Sequence, residues 1–174
     1  MQIFPEQKSF EALAQDFPEF DLESIATCLA FLDATTDVYA AFNAHFERYG
    51  LSGGKFTILM QLYTAKQDIP PSEFAERANV TRATITGLLD GLEREGLVQR
   101  KPHPSDRRML VVHLTDRGRE LMQNILPEHF CRTKRLMETL TASEKKNLVK
   151  LLKKLCAGAA ILNNRNVALP TSKS

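Results

Sequence analysis

From Leu22 to about Tyr49 the positions Ile25, Leu29, Leu32, Thr36, Tyr39, Phe42 and Phe46 recur at steps of three and four. That spacing predicts a long amphipathic helix. Gly50 stops it, and Ser52 is placed to cap the next helix. Phe56, Leu59, Met60 and Tyr63 then supply one buried face before the Pro70-Pro71 break. A third short helix is expected from about Ser72 to Ala78. Asn79 follows where the chain must turn, and Asn tolerates the left-handed conformation. Thr81 is the expected N-cap of a helix reaching Glu95, with Ile85, Leu88 or Leu89, and Leu92 facing the core and Gly96 ending it. Two short helices joined by a tight turn, the second opening on a capping Thr, make a helix-turn-helix.

After Gly96 the period changes. The segments LVQRK and MLVVHLT read as short strands flanking the charged insert PHPSDRR, a β-hairpin with a long basic tip. Thr115 caps a further helix to about Leu140, which Pro127 is expected to bend because it removes a backbone donor. Thr141 and Glu144 form a capping box. Leu148, Leu151, Leu152, Leu155, Ala159 and Leu162 line one stripe of the last helix. The first 20 residues, with Phe4, Phe10, Phe17 and Phe20, read as a docked arm containing a short helix from Ser9 to Asp16. The polar stretch from Asn163 to Ser174 lacks periodicity and is expected to be mobile.

The expected fold is therefore mainly α with a small two- or three-stranded β wing: a winged helix-turn-helix between N- and C-terminal helices that lack a core of their own and need a partner. The division along the chain is an N-terminal arm (1–20), an N-terminal dimerisation helix (21–50), a winged helix-turn-helix (51–115), C-terminal dimerisation helices (116–162) and a tail (163–174).

Charge says where a partner would dock. The net charge of +2 conceals an acidic beginning, since residues 1–54 carry only Lys8 and Arg48 against nine acids. The span from Leu97 to Arg119 instead holds six Lys or Arg residues against Asp106 and Asp116. A polyanion is expected on the middle of the chain. No run approaches the roughly 18 apolar residues of a membrane span, and the start lacks a signal-peptide pattern, so a cytoplasmic protein without a membrane partner is expected. Cys28, Cys131 and Cys156 have no C-x-x-C spacing and are read as buried free thiols.

The stretch PSEFAERANVTRATITGLLDGLEREGLVQRKPHPSDRRMLVVHLTDRGREL (71–121) resembles the MarR family of bacterial transcription regulators. The likeness rests on the V-T-R-A-T-I-T run, the L-E-x-x-G-L-V junction, and the wing signature formed by Asp106, Arg108, Leu114 and Thr115. It implies a homodimer whose terminal helices interlock, with each chain offering its recognition helix to one half-site of double-stranded DNA.

The residues support that implication. With Ile85, Leu88 and Leu92 buried, the helix beginning at Thr81 presents Arg82, Thr84, Thr86 and Gly87, small or hydrogen-bonding groups that let it sink into a major groove. The bland alternative is that the threonines cap and Arg82 is merely solvated. Gly87 departs from the family, where Arg is common at the matching position. On the wing, Arg108 is the candidate for a narrow minor groove. The resemblance implies that Asp106 orients it. Arg107, Arg100 and Lys101 are read as phosphate contacts, against the alternative of a solvated charge cluster.

Control of DNA binding is open in the sequence. The resemblance implies a pocket for small aromatic or phenolic anions, and Tyr39, His45, Phe56, Met60 and Tyr63 are candidates to line it, although such residues are more often plain core. The urate-responsive subgroup uses a tryptophan there, and this chain has none. Peroxide-sensing members carry a reactive Cys in their first long helix, where Cys28 lies. No Lys or Arg occurs from Ser9 through Glu47 to stabilise its thiolate. His103, His113 and the pair His129 and Cys131 form no convincing metal set, so neither metal nor cofactor is expected. The chain lacks catalytic signatures and is read as no enzyme. A winged helix used only for protein interaction is the competing class.

Overall fold

Capping side chains and left-handed stops divide the chain into its elements. These are α1 (Leu22–Glu47), α2 (Gly53–Ala65), α3 (Pro71–Ala78), α4 (Arg82–Arg94), β1 (Val98–Pro102), β2 (Leu110–Leu114), α5 (Asp116–Met137) and α6 (Ala142–Gly158), which ends in a 3-10 turn, Ala159–Asn163. The computed structural model describes residues 16–17, 20–78, 80–105 and 108–163. The expected N-terminal arm, apart from Asp16, Phe17 and Phe20, falls outside the described residues, as do Asn79, Asp106, Arg107 and the tail beyond residue 163.

The stops at Gly50 and Gly96 have φ of +71° and +70°, the left-handed region that a side chain rarely enters. Ser52 accepts the Lys55 N–H at 3.3 Å, and Thr81 accepts that of Thr84 at 3.1 Å, so each supplies an acceptor that the first helical turn lacks. One stop was not expected. Helix α2 ends before the proline pair, at Lys66, a non-glycine residue with φ of +53° whose N–H donates to the Leu62 carbonyl at 3.2 Å.

Two compact units can be distinguished, residues 39–136 and residues 1–38 with 137–174. In the first, Leu59, Phe74, Leu92, Val112, Met122 and Ile125 are completely enclosed. Each such side chain is worth about 1.5–3 kcal/mol of burial. The hairpin is antiparallel, with Val98 opposite Leu114 and Arg100 opposite Val112. A third strand is reduced to one bridge, in which Ile69 and Val112 exchange both backbone hydrogen bonds at 2.9 and 3.1 Å. Thr115 accepts the Gly118 N–H at 3.1 Å and so caps α5, which runs through Pro127 without interruption.

In the second unit none of the described residues is buried. Thr141 and Glu144 form the expected capping box, yet Leu148, Leu151 and Leu155 of the α6 stripe stand exposed. Helix α1 adds a feature that the length of uninterrupted apolar runs does not bring out. Its 26 residues contain an 18-residue window of mean hydropathy 1.3, long and apolar enough by length and composition to cross a bilayer. An uninterrupted apolar run is indeed absent, because Asp33 and Asp37 lie one turn apart within it. Two carboxylates at that depth would be costly in hydrocarbon.

Candidate nucleic-acid interface

Helix α4 buries Ile85, Leu89 and Leu92, at steps of four and three, while Leu88 is only half-buried. The opposite side of its first turns is open, with Thr81, Arg82, Thr84, Thr86 and Gly87 all exposed. A methyl group built on Gly87 would meet nothing within 4 Å. The hydroxyls are already partly committed. Thr81 and Thr84 share a hydrogen bond at 2.8 Å, and Thr86 donates its proton to the Arg82 carbonyl at 3.0 Å. Thr86 is therefore left to accept, which suits an exocyclic amine on a base edge.

The wing stands against the same helix. Arg100 donates through its guanidinium to Glu93 at 2.9 Å and lies 2.6 Å from Asp90, so its charge is met by two carboxylates of α4. This differs from its expected role as an open phosphate contact. Lys101 is half-buried and paired with Val111, and Arg108 is exposed at the hairpin tip. Asp106 and Arg107, the remaining wing candidates, lie outside the described residues.

Below the helix is an open crevice of about 990 Å³, walled by Tyr39 and Asn43 of α1, Gly53 and Gly54 of α2, and Thr84 and Leu88 of α4. The two glycines bring the walls together. A Cβ on Gly53 would lie 2.8 Å from Asn43 Oδ1, and one on Gly54 would lie 3.1 Å from Leu88. Asn43 uses that proximity to accept the Gly53 N–H at 3.0 Å. Of the residues expected to line a pocket, Tyr39 alone does so. His45 and Phe56 are buried, and Met60 and Tyr63 pack against the core, because large apolar side chains are consumed in filling the interior.

A family model described as MarR family matches residues 51–110. The HTH-type transcriptional repressor YetL of Bacillus subtilis is 39% identical over 153 residues, covering 87% of this chain and 92% of that protein. The chain belongs to the MarR family. A MarR variant from E. coli, solved in complex with operator DNA, superposes with a TM-score of 0.69 at 26% identity, covering 78% of this chain and 99% of that one. Another MarR family transcription regulator superposes at 0.71 with 20% identity, covering 82% and 94%, a likeness of fold. This MarR-family chain is accordingly a transcription regulator and not an enzyme. The matched span runs from Leu51 to Leu110 and contains the helix-turn-helix and the first wing strand.

Sequence reasoning missed a second cluster in this MarR-family chain. His45 stands 5% exposed against Phe46, Tyr49 and His129, and His129 completes an aromatic nest with Phe42, Phe46 and Phe56. Burial lowers the pKa of His45 first, and the adjacent Arg48 adds to that; burial alone lowers that of His129. Beside them Glu128 receives hydrogen bonds from Tyr49 and Arg132, which hold its carboxyl down at about 2. The sequence offers His45 and Phe56 only as pocket candidates and His129 only through its H-x-C pair with Cys131, with nothing to bring them together. Among the described residues no three His, Cys, Asp or Glu side chains gather as a metal site. The cysteines correct the expectation of buried thiols, since Cys28, Cys131 and Cys156 are all exposed.

Proposed function

We propose that the protein is a sequence-specific DNA-binding repressor that acts in the cytoplasm as a homodimer on a pseudo-palindromic operator. The observation that carries this reading is the exposed, hydroxyl-rich first turn of α4 beside a basic wing. Arg82, Thr84 and Thr86 read base edges in the major groove, Thr81 caps the helix whose amides favour a phosphate, and Arg108, oriented by Asp106, enters the minor groove. Arg107 and Lys101 hold phosphates. Exposed Leu22 and Leu32 of α1, and Leu151 and Leu155 of α6, supply apolar surface for a second copy. The operator-bound MarR variant supports the same reading.

Footprinting upstream of the protein's own gene tests it. Protection should be two-fold symmetric, with half-sites about one turn, roughly 10 base pairs, apart. A single asymmetric half-site bound by a monomer would overturn the architecture. Absence of salt-dependent duplex binding would favour a protein-interaction module instead.

A small aromatic acid is the proposed signal for release. The crevice touches the inner side of the helix that reads DNA, through Thr84, Ile85 and Leu88, and Gln61 on its wall has a buried Oε1 without a partner. A ligand there bears directly on α4. Titrating the DNA complex with benzoic and hydroxybenzoic acids should release wild-type protein, and Gly54→Leu, which fills the crevice, should be insensitive. Release by peroxide, abolished in Cys28→Ser, would favour the thiol reading.

A further inference from the structure

Arg100 has more partners on α4 than any other wing residue described above. Its backbone N–H donates to Glu93 Oε1 at 2.8 Å, and its guanidinium to Glu93 Oε2 at 2.9 Å. A second guanidinium nitrogen lies 2.6 Å from Asp90 Oδ1 and 3.4 Å from the Thr86 carbonyl. Thr86, Asp90 and Glu93 follow one another at steps of four and three, so they form one stripe of the helix. Only 22% of the Arg100 side chain is exposed, against 50% for Asp90 and 37% for Glu93.

We infer that Arg100 is a positioning residue that sets the angle of the wing on the recognition helix, and that Glu93 is the acceptor on which the angle is fixed. Glu93 grips the main chain and the side chain of the same residue, so β1 can neither slide along α4 nor roll over it while both bonds persist. The planar guanidinium then spans Asp90 and Glu93, which one ammonium group would not do. The helix reads one groove and the hairpin tip the next, so their mutual orientation decides whether both engage at once. The stripe ends at Thr86, whose side chain is among the groove-facing group. This inference rests on the DNA-binding reading.

A phosphate contact by Arg100 makes the opposite prediction, and the sign of one substitution separates the two. Glu93→Ala removes an acid close to the DNA face. If Arg100 holds a phosphate, its release from Glu93 and the loss of negative charge strengthen binding. If Arg100 positions the wing, binding weakens, on the order of tenfold for a coupled pair. The probe is a 30-base-pair duplex enriched by the wild-type protein from a random pool, measured beside a scrambled duplex.

The expected result is that Glu93→Ala, Arg100→Ala and the double variant lose similar affinity for the enriched duplex, with much smaller losses on the scrambled one. Arg100→Lys fails to restore it, and Glu93→Gln, which still accepts the Arg100 N–H, restores most of it. Circular dichroism and melting identify any variant that fails to fold, and the Glu93→Gln comparison then carries the test. Tighter binding by Glu93→Ala, or full activity of Arg100→Lys, overturns the assignment alone. Failure of the wild-type protein to enrich any sequence overturns the DNA-binding reading, and the inference with it.

Discussion

The imidazoles of His45 and His129 stack with ring centroids 5.8 Å apart and planes inclined by 14°. Neither His45 Nε2 nor His129 Nδ1 has a hydrogen-bond partner, and His45 is 5% exposed. The charged groups around the pair are Arg48, 2.5 Å from His45 Nδ1, with Arg132 and Glu128. Two cations and one carboxylate do not invite further positive charge, and burial opposes it.

Stability should therefore fall in acid. Both folded-state pKa values lie below the ordinary 6.5, so the unfolded chain takes up protons that the folded chain resists. The stabilisation is complete above about pH 6.5 and is lost as pH falls through the lowered values. Glu128, held at about 2 against an ordinary 4.5, adds a second loss below about pH 4.5. Urea midpoints at fixed protein concentration should decline between pH 7 and 5, and His129→Phe, which keeps an aromatic ring in the nest, should flatten that decline. An unchanged slope in the variant counts against the pair.

Gly118 is the glycine with the least room. A Cβ there would lie 2.2 Å from the Leu97 carbonyl oxygen and 2.8 Å from Leu114 Cδ1. The first contact is with backbone, which cannot swing aside. Gly118→Ala should destabilise by about 1–3 kcal/mol, read as a lower urea midpoint at unchanged slope. A neutral effect would mean that α5 can lift from the base of the wing.

Gly87 is the opposite case. It lies within α4 with open space around it, so Gly87→Ala should stabilise the fold by about 0.4–1 kcal/mol through the unfolded chain. Gly87→Arg places a cation on this exposed face of the helix. The slope of log affinity against log salt should steepen by about one unit. An unaltered slope would show that this face of the helix stands away from the phosphates.

These differences show what sequence could reveal. Caps and stops were legible because Ser52, Thr81, Thr115 and Thr141, like Gly50 and Gly96, act through atoms within a few residues of themselves. The wing was legible from its change of period. The clamp on Arg100 was not, because Thr86, Asp90 and Glu93 meet it only once the hairpin folds back on the helix. The crevice was misread for a different reason. Aromatic and methionine side chains drew attention to Phe56 and Met60, whereas Gly53 and Gly54 let its walls approach, and the missing side chains help to shape it. Lys66 takes a left-handed conformation without being the residue type that announces one.

Two cations on the interface should fail differently when removed. Arg82 is exposed on the first turn of α4, where its fork can reach a guanine edge, so Arg82→Ala should cost about 1–3 kcal/mol on the enriched duplex and far less on a scrambled one. Lys101 is half-buried on β1 and is read as a phosphate contact, which carries no base information directly. Lys101→Ala should weaken both duplexes alike and lower the salt slope by about one unit. Measuring both variants at several salt concentrations separates specificity from attraction. If Arg82→Ala weakened both duplexes equally, the reading helix would be holding phosphates, and base selection would have to come from the wing or from the deformability of the operator itself.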